Sequence, residues 1–201
     1  MIERPGPVLV LDLETQNTFS DVGGKQNIHR LRVSVVCVYN YDSDSYSSFT
    51  ENEMFQLEEL LRSAGLIIGF NIRSFDFAVL QNYLFTPVNQ FPILDLLEEI
   101  ERVRGHRVTL QSVAEATFND RKTGSGLDAV RLFREGKMKE LIDYCMNDVR
   151  LTKDIYEYGN ANGKVFFRSI KDFQIHEILL SWDNVVPKEK SSLSKFPTSL
   201  F

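Results

Sequence analysis

Val8-Leu9-Val10-Leu11-Asp12-Leu13-Glu14 is the stretch that decides the fold. Val8 to Leu13 reads as a buried strand: an apolar run too short for a helix, ending in an acidic pair. Apolar residues on both of its faces mark a central strand, covered on both sides. Residues two apart on a strand share a face, so Asp12 and Glu14 point the same way. Two like charges side by side on a buried strand are unfavourable unless something positive lies between them. A metal ion would meet that need, whereas an exposed strand end would not require one. The apolar run before the pair favours the metal. Asp12-Leu13-Glu14 is the only Asp-x-Glu in the chain.

Working outward, Thr15 to Arg30 is polar and contains Gly23-Gly24, so it reads as a loop. Valine-rich Leu31 to Tyr39 predicts a second strand, and Ser45 to Phe49 a third after the turn at Tyr41-Asp42-Ser43-Asp44. Glu53 to Ser63 places Met54, Leu57, Leu60 and Leu61 on one face of a helix. Leu66 to Phe70 is a short buried strand. Ser74 is the expected N-cap of a helix reaching Leu84. Pro92 to Leu94 forms a short strand, and Asp95 caps a helix to Val103. Thr109 caps a helix to Thr117. Gly124-Ser125-Gly126 interrupts, Leu127 to Arg134 resumes, and Gly136 precedes a long helix from Lys137 to Tyr158. Val165 to Phe167 and Phe173 to Leu180 suggest a terminal strand pair.

The links between the first three strands are too short for helical crossovers, so these strands form an antiparallel meander. The later strand–helix–strand steps imply parallel crossovers. The expected class is α/β, a mixed central sheet flanked by helices, over residues 1–186. Residues 187–201 read as a Ser/Lys/Pro-containing tail.

The 201 residues, 43% hydrophobic with 15 phenylalanines, suffice for one real core. Cys37 and Cys145, in apolar surroundings, suggest neither a disulfide framework nor zinc. Met1 to Pro7 shows no signal-peptide pattern, and no apolar run is long enough to span a bilayer. A cytoplasmic protein with no membrane association is the expectation. The net charge of −5 does not exclude nucleic acid, because divalent cations at a carboxylate site would reverse the local field.

Two further patterns carry acids. In Asn71-Ile72-Arg73-Ser74-Phe75-Asp76, Asp76 lies early in the helix after a strand. Such an acid serves a helix dipole equally well. In Tyr144-Cys145-Met146-Asn147-Asp148, Tyr144 and Asp148 share a helix face with Leu141, Leu151 and Ile155 near it, so that face should pack inward. In isolation this would be a surface pair. Four carboxylates drawn from three distant segments suit a two-metal phosphodiester-cleaving site.

Together these residues resemble the three motifs of the DEDD-type 3′–5′ exonucleases, in the subclass with tyrosine in the third motif. Gly69 to Asp76 and Tyr144 to Asp148 are similar to the second and third motifs of the proofreading domains of B-family DNA polymerases. The resemblance covers about Val8 to Tyr158 and implies the ribonuclease-H-like fold. The histidine subclass would need histidine at position 143, where Asp143 stands. The resemblance implies that Asp12, Glu14, Asp76 and Asp148 bind two divalent ions, Mg²⁺ or Mn²⁺. It also implies that Tyr144 orients the attacking water, and that Leu13, Thr15, Asn71 and Phe75 seat the terminal nucleotide. The implied substrate is a single-stranded nucleic-acid 3′ end, with DNA favoured over RNA but the choice left open by the residues, trimmed by a stand-alone relative. A catalytically silent nucleic-acid or protein-binding module on the same fold is the alternative.

His29, His106 and His176 have no motif partner. Arg102, Arg104, Arg107, Arg121, Lys122, Arg131, Arg134, Lys137 and Lys139 read mainly as a solvated face, with some phosphate contacts open to them. Ser199-Leu200-Phe201 is similar to the ends of peptides that bind bacterial sliding clamps, though their glutamine is absent. A frayed or packed terminus is the favoured reading, and the likeness is only a weak hint of a replication or repair partner.

Overall fold

Val8–Thr15 forms β1, the middle strand of five in a computed structural model that describes residues 6–118, 126–169, 171–180 and 182. Around it lie β2 (Val33–Asn40), β3 (Ser45–Thr50), β4 (Leu66–Gly69) and β5 (Ile93–Asp95), in the order β3-β2-β1-β4-β5. β1 pairs antiparallel with β2, and β2 with β3, which is the expected meander. β4 joins β1 in parallel and β5 joins β4 in parallel.

The alternation along β1 divides the core. Leu9, Leu11 and Leu13 face one apolar layer with Leu57 and Leu61 of α1 (Met54–Ser63) and Phe77 of α2 (Asp76–Leu80). Val10 faces the other layer, built largely by α6 (Met138–Asn162). Leu141, Tyr144, Cys145, Asp148, Leu151 and Ile155 form the buried stripe of α6. Its helical spacing explains why these residues, and not Asp143, lie against the sheet. Further helices are α3 (Leu96–Arg104), α4 (Leu110–Phe118) and α5 (Gly126–Arg134). β6 (Lys164–Arg168) and β7 (Ile175–Leu179) form a separate antiparallel pair. Gly159 of α6 has a packing reason: a Cβ there would lie 2.6 Å from Trp182 Nε1.

The mixed α/β class and helix-flanked sheet agree with the sequence reading. Two expected caps are present. Asp95 accepts from Leu97 N at 3.0 Å, and Thr109 Oγ1 accepts from Ser112 N at 3.1 Å.

Other local expectations change. The loop after β1 contains a 3-10 helix at Lys25–Arg30. Ser74 does not cap a helix to Leu84. α2 spans only Asp76–Leu80, with Phe75 at its cap position, and the Ser74 hydroxyl donates to Asn71 Oδ1 at 2.7 Å. α6 runs four residues beyond Tyr158, until Gly163 ends it with φ 66°. Arg121, Lys122, Gly124, Ser125 and the expected tail at 187–201 lie outside the described residues.

Candidate active site

Asp12 and Glu14 project from the end of β1 toward α6, as the period of two requires. Asp148 projects to meet them from the inward face of α6. Ligand atoms of the three carboxylates lie within 4.8 Å of one another. Glu14 and Asp148 are buried, and Asp12 is half-buried. The register of β1 shifts between Glu14 and Thr15, so the strand is irregular where the site begins.

Asp76 does not join that trio. It stands beside it at the start of α2, its Oδ1 accepting from Leu13 N at 3.0 Å. Burial pushes the Asp76 carboxyl well above its ordinary range, and the charge of Asp12 pushes it further. A site that resists holding several ionised acids together is one that a divalent cation would relieve. The donors are hard carboxylate oxygens, which suit Mg²⁺ or Mn²⁺ better than a thiophilic metal. Asp12, Glu14 and Asp148 could hold such an ion, with Asp76 adjacent.

The acids open onto a cleft of about 380 Å³. Leu13, Thr15, Asn71 and Phe75 all line it, with Asp12, Glu14, Asp76 and Asp148. Tyr144 is placed differently. It lies on the inward face of α6, buried in the core, and is not among the lining residues.

Several cleft residues escape the sequence reading. Asn17, Thr18 and Phe19 come from the loop after β1, and Leu127 and Val130 from α5. Phe19 meets Phe75 edge-on, with ring centroids 6.0 Å apart. Leu127 is 69% exposed at the start of α5, and no local sequence pattern marks it as a cleft residue. Cys145 is another omission. Its thiol donates to the Asp12 carbonyl oxygen at 3.4 Å and lies 3.8 Å from Asp12 Oδ2. Burial, reinforced by Cys37 and by the charges of Asp12 and Glu14, pushes the Cys145 thiol up, so it stays protonated. Asp95, expected only as a helix cap, also accepts from Asn71 N at 2.8 Å and Arg73 N at 3.0 Å. It therefore ties the loop that carries Asn71, Phe75 and Asp76 to the end of β5.

The basic residues pair mostly with acids. Arg102 reaches Glu99 at 2.5 Å, Arg134 reaches Asp21 at 2.7 Å, and Lys137 reaches Glu135 at 2.8 Å. His176 pairs with Asp172 at 2.9 Å, and none of the three histidines belongs to the acidic trio.

Residues 9–160 match the family model of the RNase H superfamily. The chain belongs to the RNase H superfamily. Among solved structures, a family B DNA polymerase from the hyperthermophilic archaeon Pyrobaculum calidifontis is similar, with a TM-score of 0.58 at 17% identity. That likeness covers 77% of this chain and 24% of the polymerase, so the chain spans about a quarter of that protein's length. At such identity the likeness concerns the fold, and it agrees with the RNase H-like sheet described above. No curated protein matches by sequence. Among the described residues of this RNase H superfamily member, no helix is long and apolar enough to cross a membrane.

Proposed function

We propose that this protein is a metal-dependent 3′–5′ exonuclease that hydrolyses phosphodiester bonds at the 3′ ends of single-stranded DNA. The observation that carries the reading is the convergence of Asp12, Glu14 and Asp148 at one cleft. These acids come from segments more than 130 residues apart in sequence. Membership of the RNase H superfamily supports nuclease-type chemistry at such a cluster.

Asp12, Glu14, Asp76 and Asp148 would hold two divalent cations, Mg²⁺ or Mn²⁺, which when bound supply Lewis-acid stabilisation of the charge on the reacting phosphate. Leu13, Thr15, Asn71 and Phe75 form the wall against which the terminal nucleotide sits. The Phe75 ring offers a face on which a base can stack whatever its identity. Tyr144 shares the inward face of α6 with Asp148 but does not line the cleft, so the water-orienting role that the family resemblance implies for it would require its buried hydroxyl to turn toward the acids. Water adds to phosphorus, the bond to the 3′ oxygen breaks, and a 5′-mononucleotide leaves. The shortened strand keeps a 3′-hydroxyl. Replication or repair is the expected setting for such trimming.

End-labelled single-stranded DNA and RNA oligomers, incubated with Mg²⁺ or Mn²⁺, test this directly. The expected product series shortens by one nucleotide at a time from the 3′ end, faster on DNA, and stops in chelator. Chelator-resistant turnover, or cutting of a circular single strand, would overturn it. Binding of 3′ ends with no turnover in either metal would favour a silent binding module instead.

A further inference from the structure

The loop that bears Asn71 is held by Ser74 within its motif and by Asp95 and Arg107 outside it. Asn71 adopts φ 67°, in the left-handed region. Its backbone amide and that of Arg73 are both held by the buried Asp95 carboxylate. The side chain is held separately. Ser74 Oγ and Arg107 Nη2 both donate to Asn71 Oδ1. A guanidinium has donors only, so the atom facing Arg107 must be the amide oxygen. That settles which way the Asn71 amide points. Its carbonyl is committed to Ser74 and Arg107, and its NH₂ group is left to serve the cleft that Asn71 lines. Arg107 is oriented in turn, because its Nη1 pairs with Glu101 Oε2 at 3.1 Å.

We propose that Arg107 is a positioning residue of the nucleotide seat: with Ser74 it locks the Asn71 side chain so that its NH₂ donates to a hydrogen-bond acceptor on the terminal nucleotide. The identity of that ligand rests on the exonuclease reading above. Without the lock the amide is free to turn, and one of its two orientations would set a carbonyl oxygen against an acceptor. The lock therefore acts on binding rather than on bond cleavage. Arg107 is exposed, so its loss leaves the fold intact.

Steady-state kinetics on an end-labelled single strand test the lock. Arg107→Ala should raise KM roughly three- to tenfold with kcat changed by less than about twofold. Arg107→Lys keeps a donor and should recover part of the loss. Asn71→Ala should raise KM similarly, and the double variant should be no weaker than Asn71→Ala alone. Arg102→Ala, which removes an exposed arginine paired with Glu99, should leave KM unchanged. Multiplying effects at positions 71 and 107, an equal loss in Arg102→Ala, or a fall in kcat alone would overturn the proposal. Fluorescence anisotropy with a fluorescein-labelled single strand in chelator reads the same coupling as a change in Kd. Absent turnover by the unaltered protein would count against the exonuclease reading, whereas additive anisotropy effects would count against the lock.

Discussion

Glu58 and Asp76 are both almost wholly buried carboxylates on neighbouring helices, and they behave oppositely. Glu58 accepts from Thr86 N at 2.7 Å and Phe85 N at 3.1 Å. Burial opposes its ionisation, but the Thr86 hydroxyl and these two amides prevail and hold its carboxyl below the usual range. Asp76 also accepts an amide, from Leu13, yet its carboxyl is pushed well up by burial and by Asp12. The difference lies in the neighbours: donors surround Glu58, and another acid faces Asp76. Burial of an acid therefore does not mark a functional site. An acid buried against other acids does.

The sharpest way to break this contrast is to remove a charge from the trio. Asp12→Asn or Asp148→Asn should lower nuclease turnover by at least roughly 10³-fold while the thermal melt stays at or above that of the parent. Either variant retaining more than about a tenth of the turnover would show that the trio is not the reacting centre.

Cation addition is the next largest effect. Mg²⁺ or Mn²⁺ at about a hundred times its Kd should stabilise the fold by about 2.7 kcal/mol. The gain should disappear with chelator, and it should shrink at acid pH as the carboxylates protonate. A melt that ignores both metals would count against a cation site.

Glu58→Ala should do the reverse of the first substitution. Taking the carboxylate acceptor from two part-buried amides costs about 1 kcal/mol, read as a lower denaturant midpoint. Turnover per folded molecule should not change. A collapse of turnover would erase the distinction between the two regions.

The smallest effect is in pH dependence, measured by urea unfolding in chelator. The Asp76 carboxyl is raised in the fold, so its stabilising contribution is present below the ordinary carboxylate range and lost as pH rises through the raised value. Asp76→Asn should flatten that loss. The Glu58 carboxyl is lowered, so its contribution is present above the ordinary range and lost as pH falls through the lowered value. Glu58→Gln should flatten the acid limb instead. Slopes of the same sign would refute the comparison.

Much of the frame was legible in advance because its signals are local. The apolar run at Val8 to Leu13 requires cover on both faces, and the structure buries Leu9, Val10, Leu11 and Leu13. The stripe from Leu141 to Ile155 has the helical period, so the inward placement of Asp148 followed from spacing. The Asp95 and Thr109 caps follow from their side-chain chemistry. Ser74 failed as a cap because the helix starts later, at Asp76, with Phe75 at its cap position. No local pattern announces that later start. The second role of Asp95 was hidden for a similar reason: its Asn71 and Arg73 partners lie over twenty residues away.

By itself, the sequence determined the central strand, the acidic pair at its end, the inward helix face and the residues available for metal chemistry. Period and polarity are properties of neighbouring residues, and they suffice for that. Only the tertiary structure decided that Asp12, Glu14 and Asp148 meet within 4.8 Å while Asp76 stands beside them on the Leu13 amide. It alone set Cys145 against Asp12, Phe19 against Phe75 and Arg107 against Asn71. These contacts depend on how β1, α2 and α6 pack, and packing distances of a few ångströms are set by the whole core rather than by any segment.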